Sequence, residues 1–162
     1  MVSLVAAPVK RQKIACTQAS VLISGVIQLL GYETVLEIVV AQGSFPNELE
    51  IAELLKLNSG LFCLLLFIAG ICFLASCLFS DTRYSIGLGA GIPALMYVLQ
   101  MLANAGEDAE KAKYFTFFTL FQPENLVAGK SSALMGVTIL LIGGIALFAA
   151  GIFLFCKKDL YI

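Results

Sequence analysis

The chain has 162 residues, of which 60% are hydrophobic and only 13% charged, and its mean hydropathy is +0.96. Soluble domains carry about 25% charged and 45–50% apolar residues, so this composition excludes a disordered chain, a nucleic-acid binder and most soluble enzymes. The formal net charge of −1 conceals a strong segregation of charge along the chain, and the length fits a single domain.

In chain order, a basic cluster of Lys10, Arg11 and Lys13 precedes the first uncharged stretch, Ile14–Tyr32. The cluster comes late, the apolar run is long, and no small-residue cleavage site follows, so the expectation is an anchored span rather than a cleaved signal peptide. The apolar character continues to about residue 40, broken by Glu33 and Glu37. These acids stand four apart and share one helix face. Paired carboxylates deep in lipid would mark an ion or proton site. A crossing of about 20 residues counted from Lys13 ends at their level, which instead places them at the far headgroup layer.

Residues 46–56 carry Leu49, Ile51, Leu54 and Leu55 between acids, the pattern of a short interfacial helix. Two further uncharged stretches follow, Leu57–Ser80 and Tyr84–Gly106, the latter giving a span to about residue 105. Residues 113–127 begin with an aromatic run from Tyr114 to Phe121. Its uncharged part is too short to cross, so an interfacial or re-entrant segment ending near Pro123 is expected. The last span is Ser131–Cys156, again without a charge. A crossing helix needs about 20 mainly apolar residues, and lipid obliges the backbone to satisfy its own hydrogen bonds. The reading is an all-α, polytopic single membrane domain with four spans, about 14–40, 57–80, 84–105 and 131–156.

Orientation follows from the basic residues. Lys10, Arg11, Lys13, Arg83, Lys157 and Lys158 fall on one side with only Asp81 and Asp159, a net of +4. The other side holds four lysines against seven acids, a net of −3. The basic side is expected in the cytoplasm with both termini, as an even number of spans requires.

The chemistry inside the spans is sparse. Cys16, Cys63, Cys72, Cys77 and Cys156 all fall within them, no histidine is present, and no grouping matches a metal site. The cysteines read as small packing residues. Gly129-Lys130-Ser131 ends like a phosphate loop, but Glu124 stands where its first glycine belongs. Gly87, Gly89 and Gly91 lie inside a span rather than between strand and helix. Neither is a nucleotide site, so no cofactor is expected, and any ATP hydrolysis belongs to another chain. Gly87 and Gly91 form a small-xxx-small pair next to Pro93, and Gly136, Gly143, Gly144 and Gly151 form a stripe along the last span. Both are helix-packing candidates. Gln28, Gln100 and Asn104 are the candidates for a polar lining.

On these residues the chain resembles a known family. Ala7-Pro8-Val9-Lys10-Arg11-Gln12-Lys13-Ile14 is similar to the "PVSR-x-KI" segment of type-2 ABC transporter permeases. Leu78–Gly87 is similar to that family's short cytoplasmic turn and glycine-rich span. Tyr114–Pro123 resembles its "YFTLFTLFDP" outer segment, and Ile152–Leu160 its "IFxxKKRDL" ending, although Gln122 stands where the family often has Asp. The ordered set implies a bacterial cell-membrane permease subunit that moves substrate with energy from cytoplasmic ABC ATPase subunits. It also implies pairing with a second permease copy or a sister permease. Pro8, Val9, Lys10, Arg11 and Lys13 would then form the ATPase-coupling region. The family has six spans, and this chain corresponds to its C-terminal four-span portion. The alternative is a non-transporting four-helix membrane protein, such as an assembly factor or immunity-type protein. A membrane enzyme could rest only on Glu33 and Glu37.

Overall fold

The computed structural model describes residues 11–44, 50–79, 81–105 and 116–157, the side chains of residues 11, 44, 82 and 103–105 excepted. Among them the chain is all-α, with helices α1 (Arg11–Ser44), α2 (Ile51–Leu78), α3 (Thr82–Ala105), α4 (Pro123–Val127) and α5 (Ser131–Lys157). A 3-10 turn, Phe117–Leu120, precedes α4. The four long helices have 34, 28, 24 and 27 residues. At about 1.5 Å per residue each exceeds the ~30 Å hydrocarbon layer. All four are long and apolar enough to cross a membrane.

The segment expected as a short helix over residues 46–56 is described only from Glu50 onward. Residues 45–49 lie outside the described set, and Ile51–Lys56 forms the opening turns of α2. No Gly or Pro interrupts residues 51–59, and the first glycine, Gly60, is clamped by neighbours: a side chain there would meet Leu126 at 2.7 Å and Phe121 at 2.9 Å. The helix therefore has no reason to break. The aromatic segment is shorter and more divided than a single interfacial helix, with the 3-10 turn and α4 separated by extended Phe121 and Gln122.

The centre of the molecule is the α2–α5 pair. These helices run in the same direction, and residues 66–73 of α2 lie level with 143–151 of α5. Gly144 makes the approach possible: a side chain there would meet the Phe67 backbone nitrogen and Leu66 at 3.2 Å. Gly143 and Gly151 receive the rings of Phe67 and Phe73, at 2.8 and 2.7 Å from the would-be side chain, and Gly136 lies against the Leu120 carbonyl. Around this seam Leu66, Ala69, Phe73, Cys77 and Phe148 are buried with Ala19 of α1. The Phe73 and Phe148 rings stand 5.2 Å apart. A second cluster joins Cys63, Leu64 and fully buried Leu140 to Phe117, Phe118 and Phe121 of the aromatic segment. Hydrocarbon offers apolar side chains no hydrophobic gain on association, so close van der Waals fit at small residues has to hold the helices together.

α3 lies against α2 at the opposite side from α5, and its proline is accommodated by that contact. Pro93 sits inside the helix and has no N–H, which leaves the carbonyl of Gly89 without its intrahelical donor. The Cys72 thiol of α2 donates to that carbonyl at 3.2 Å. Gly89 packs directly on α2 there, a side chain at that position reaching ordinary van der Waals contact with the Cys72 backbone at 3.4 Å. Gly87 and Gly91, in contrast, point to open space. α1 and α3 leave large apolar side chains uncovered, among them Val21, Tyr32, Val39, Ile86, Leu95 and Met101. Such faces are stable only against lipid or protein.

Gly144→Leu should lower the unfolding free energy of detergent-solubilised protein by about 1–3 kcal/mol through overpacking. Gly87→Leu should change it by less than about 0.5 kcal/mol. Cys72→Ala should cost about 0.5–1 kcal/mol for the lost carbonyl contact, and Cys72→Ser should retain most of it; equilibrium unfolding measures all three.

Candidate functional site

Polar side chains inside an apolar helix bundle are costly unless partnered, so their placement locates the chemistry. Several are satisfied on their own helix. Thr17, Ser20, Thr34 and Thr138 return their hydroxyls to the carbonyl four residues earlier, at 2.7–2.8 Å. Apart from the Cys72 thiol on the Gly89 carbonyl, those that reach another element fall into two groups.

The first group lies between α1 and α2. Asn58, buried at 7% exposure, donates to the Thr34 hydroxyl at 2.9 Å and to the Glu37 carboxylate at 3.0 Å. Glu33 and Glu37 share the helix face that their spacing requires, and both open onto a groove of about 800 Å³. The groove is completed by Leu29, Tyr32, Leu36, Val40 and Ala41 of α1 and by Leu54 of α2. Residues 29, 32, 33, 36, 37 and 40 follow one helical stripe, so α1 builds most of the wall and α2 the lip. Glu37 meets α2 at Asn58, within one turn of Lys56, which puts the carboxylates at the level where charged residues gather. Neither is ion-paired among the described residues.

The second group joins α3 to the aromatic segment. The Gln100 side-chain oxygen accepts from the hydroxyls of Thr116 and of Thr119, the latter at 3.2 Å. The two threonine hydroxyls lie 3.0 Å apart. Beside them Asn125 donates to Gln122 at 2.6 Å and accepts from the Lys130 amine at 2.9 Å. Stacked Phe117 and Phe118, with ring centroids 4.6 Å apart, bridge to Phe67 and Tyr97. The group thus works as a clasp that fixes the aromatic segment across the bundle end. It encloses a recess of about 500 Å³ lined by Gln100, Thr119, Gln122 and Asn125.

The phosphate-loop lookalike has a purely structural role. Gly129 takes φ +66° and closes α4, its N–H bonding Leu126 and that of Lys130 bonding Asn125, the paired pattern of a helix C-terminal Schellman motif. Gly87, Gly89 and Gly91 lie within one continuous helix.

Of the remaining sequence candidates, Gln28 is exposed on α1, and Gln100 enters the clasp. Asn104 is in α3, with its side chain outside the described set. Pro8, Val9 and Lys10 lie outside the described residues, Arg11 opens α1, and Lys13 is exposed. The five cysteines are free thiols, and among the described residues no three His, Cys, Asp or Glu side chains are grouped to hold a metal. Sequence reasoning missed Asn58, Thr34, Thr116 and Thr119. An amide at the start of so apolar a helix as α2 was the available signal, because lipid gives it no partner except another helix.

Comparison with known protein families, with curated proteins and with solved structures returns no match.

A double-mutant cycle on Asn58→Ala and Thr34→Val should return a coupling of about 0.6–1.7 kcal/mol, the range of interhelical hydrogen bonds in membrane proteins, read from equilibrium unfolding.

Proposed function

We propose that this chain is a membrane-spanning permease subunit of an ATP-binding cassette transporter, moving substrate across the cytoplasmic membrane with energy from a separate ATPase subunit. The observation that carries the reading is the ordered resemblance along the chain, from Pro8–Ile14 through Tyr114–Pro123 to Ile152–Leu160. Charge distribution supports the same arrangement: Lys13, Arg83 and Lys157 are all exposed, and all three belong to the end of the bundle where α1 begins and α5 finishes. That end is the cytoplasmic one by the positive-inside rule. Both termini then face the cytoplasm, and a basic surface is presented to the ATPase.

The packing gives this reading a mechanical form. The α2–α5 pair is the rigid unit, held by glycines against backbone and rings. α1 and α3 touch it more lightly and leave apolar faces for a second permease copy or a sister permease. ATP-driven closure of the ATPase pair would push on Pro8–Lys13, and α1 would carry that displacement along its 34 residues to the groove end. Helices bistably packed at interfaces convert small pushes into rigid-body shifts.

Affinity purification of the full chain from its own membranes should bring down an ATPase bearing phosphate-loop and ABC signature motifs. Lys10→Glu with Arg11→Glu should abolish that association at unchanged membrane abundance. Absence of any such ATPase overturns the transporter reading and favours a non-transporting four-helix protein. Retention after charge reversal overturns Pro8–Lys13 as the docking surface.

A further inference from the structure

We propose that the α1–α2 groove is a binding site for an amphiphilic organic cation, with the charged head between Glu33 and Glu37 and the hydrocarbon portion along Leu29, Leu36, Val40 and Leu54. This is an assignment of binding, and it stands whether or not the chain works beside an ATPase.

The argument starts from the combination of walls. A groove of about 800 Å³ is far larger than a bare metal ion needs, and its two carboxylates are too few for a protein-built cation cage. Its lining is otherwise apolar, apart from the Tyr32 hydroxyl. Two carboxylates one turn apart repel an anion and leave a neutral amphiphile with nothing to offset their desolvation. A cation on an apolar body satisfies both surfaces together. The charge complementarity is direct: the charged groups lining the groove are both acids, and among the described residues no Lys or Arg pairs with either.

The site is also organised in advance. Asn58 is buried and fixes the Glu37 carboxylate through one oxygen, while Thr34 holds the same amide from the other side. A carboxylate held in place loses less freedom on binding than a mobile one. Tyr32, on the same stripe, lines the groove beside the carboxylates, and aromatic rings attract ammonium groups. The groove opens along its length, so an elongated apolar body can enter sideways from lipid while its head stays near the level of Lys56.

The chain has no tryptophan, so Tyr32→Trp supplies a single fluorescent reporter in the groove, and Tyr97→Trp a control on exposed α3. In phosphatidylcholine nanodiscs, dodecylpyridinium should quench Tyr32→Trp saturably and Tyr97→Trp only in proportion to its concentration in the bilayer. Brominated dodecanol, which has the same chain and no charge, should quench both without saturation. Adding Glu37→Gln, which keeps an acceptor for Asn58, or Glu33→Gln should raise the half-saturating concentration about tenfold or more, as loss of a charge-assisted contact predicts. Radiolabelled dodecyltrimethylammonium binding to the unsubstituted chain, with empty nanodiscs subtracted, gives the same comparison if the tryptophan disturbs the groove. Non-saturable quenching together with no radioligand binding above empty discs overturns the site. Unchanged affinity in both glutamine variants overturns it too, as does equal saturation by the neutral quencher. A groove filled by a helix of another protein would produce the first of these results.

Discussion

The close approach of α5 to α2 at Gly144 is the constraint on which the rest of the structure depends. A side chain at that position would stand 3.2 Å from the Phe67 backbone nitrogen, so the two helices touch nearly backbone to backbone. Above and below that point Gly143 and Gly151 admit the rings of Phe67 and Phe73, and at the far end Gly136 admits the Leu120 carbonyl. In lipid, where apolar side chains gain nothing by leaving their surroundings, interdigitation of this kind replaces the hydrophobic effect as the organising force. α1, α3 and the aromatic segment are then arranged around a pair that is already fixed.

The polar groups obey a stricter rule than in a soluble protein, because no water is available in the hydrocarbon to complete them. Pro93 leaves the Gly89 carbonyl without its intrahelical donor, and a thiol from α2 supplies one. Hydroxyls on α1 bond back to their own helix. Asn58 and Gln100 have no such local option, so each reaches across to a neighbouring element. Those two side chains hold α1 to α2 and α3 to the aromatic segment, and the α1–α2 groove and the recess beside Gln100 open next to them.

This division explains what could be read in advance. The four spans were legible because uncharged runs as long as Leu57–Ser80 and Ser131–Cys156 admit few structures in lipid other than helices. The i, i+4 spacing of Glu33 and Glu37 places them on one face by helix geometry alone, and the groove uses that face. The α5 glycine stripe was likewise visible, because intervals of seven and eight return to one side of a helix. The Gly87–Gly91 pair shows the limit of the same pattern. Its spacing is suitable for close contact, yet the glycine in contact with α2 is Gly89, two residues along and on the other side of α3. Spacing defines a face but does not say which element will cover it. Residues 51–56 of the segment expected at 46–56 show a related limit: they open α2, and amphipathic residues at a span's edge read alike whether they lie along the interface or continue the span.

What the sequence by itself determined is an all-α chain of four membrane-length helices, with most of its charges between the helices or near their ends. The physical reason is that lipid tolerates neither unpaired backbone nor unpaired charge. Only the tertiary structure decided that α2 and α5 form the central pair, that Cys72 offsets Pro93, and that Asn58 turns two spaced glutamates into the wall of a groove. Each of those outcomes depends on which residues from distant parts of the chain meet across a helix interface, a relation that no local pattern of hydropathy or spacing encodes.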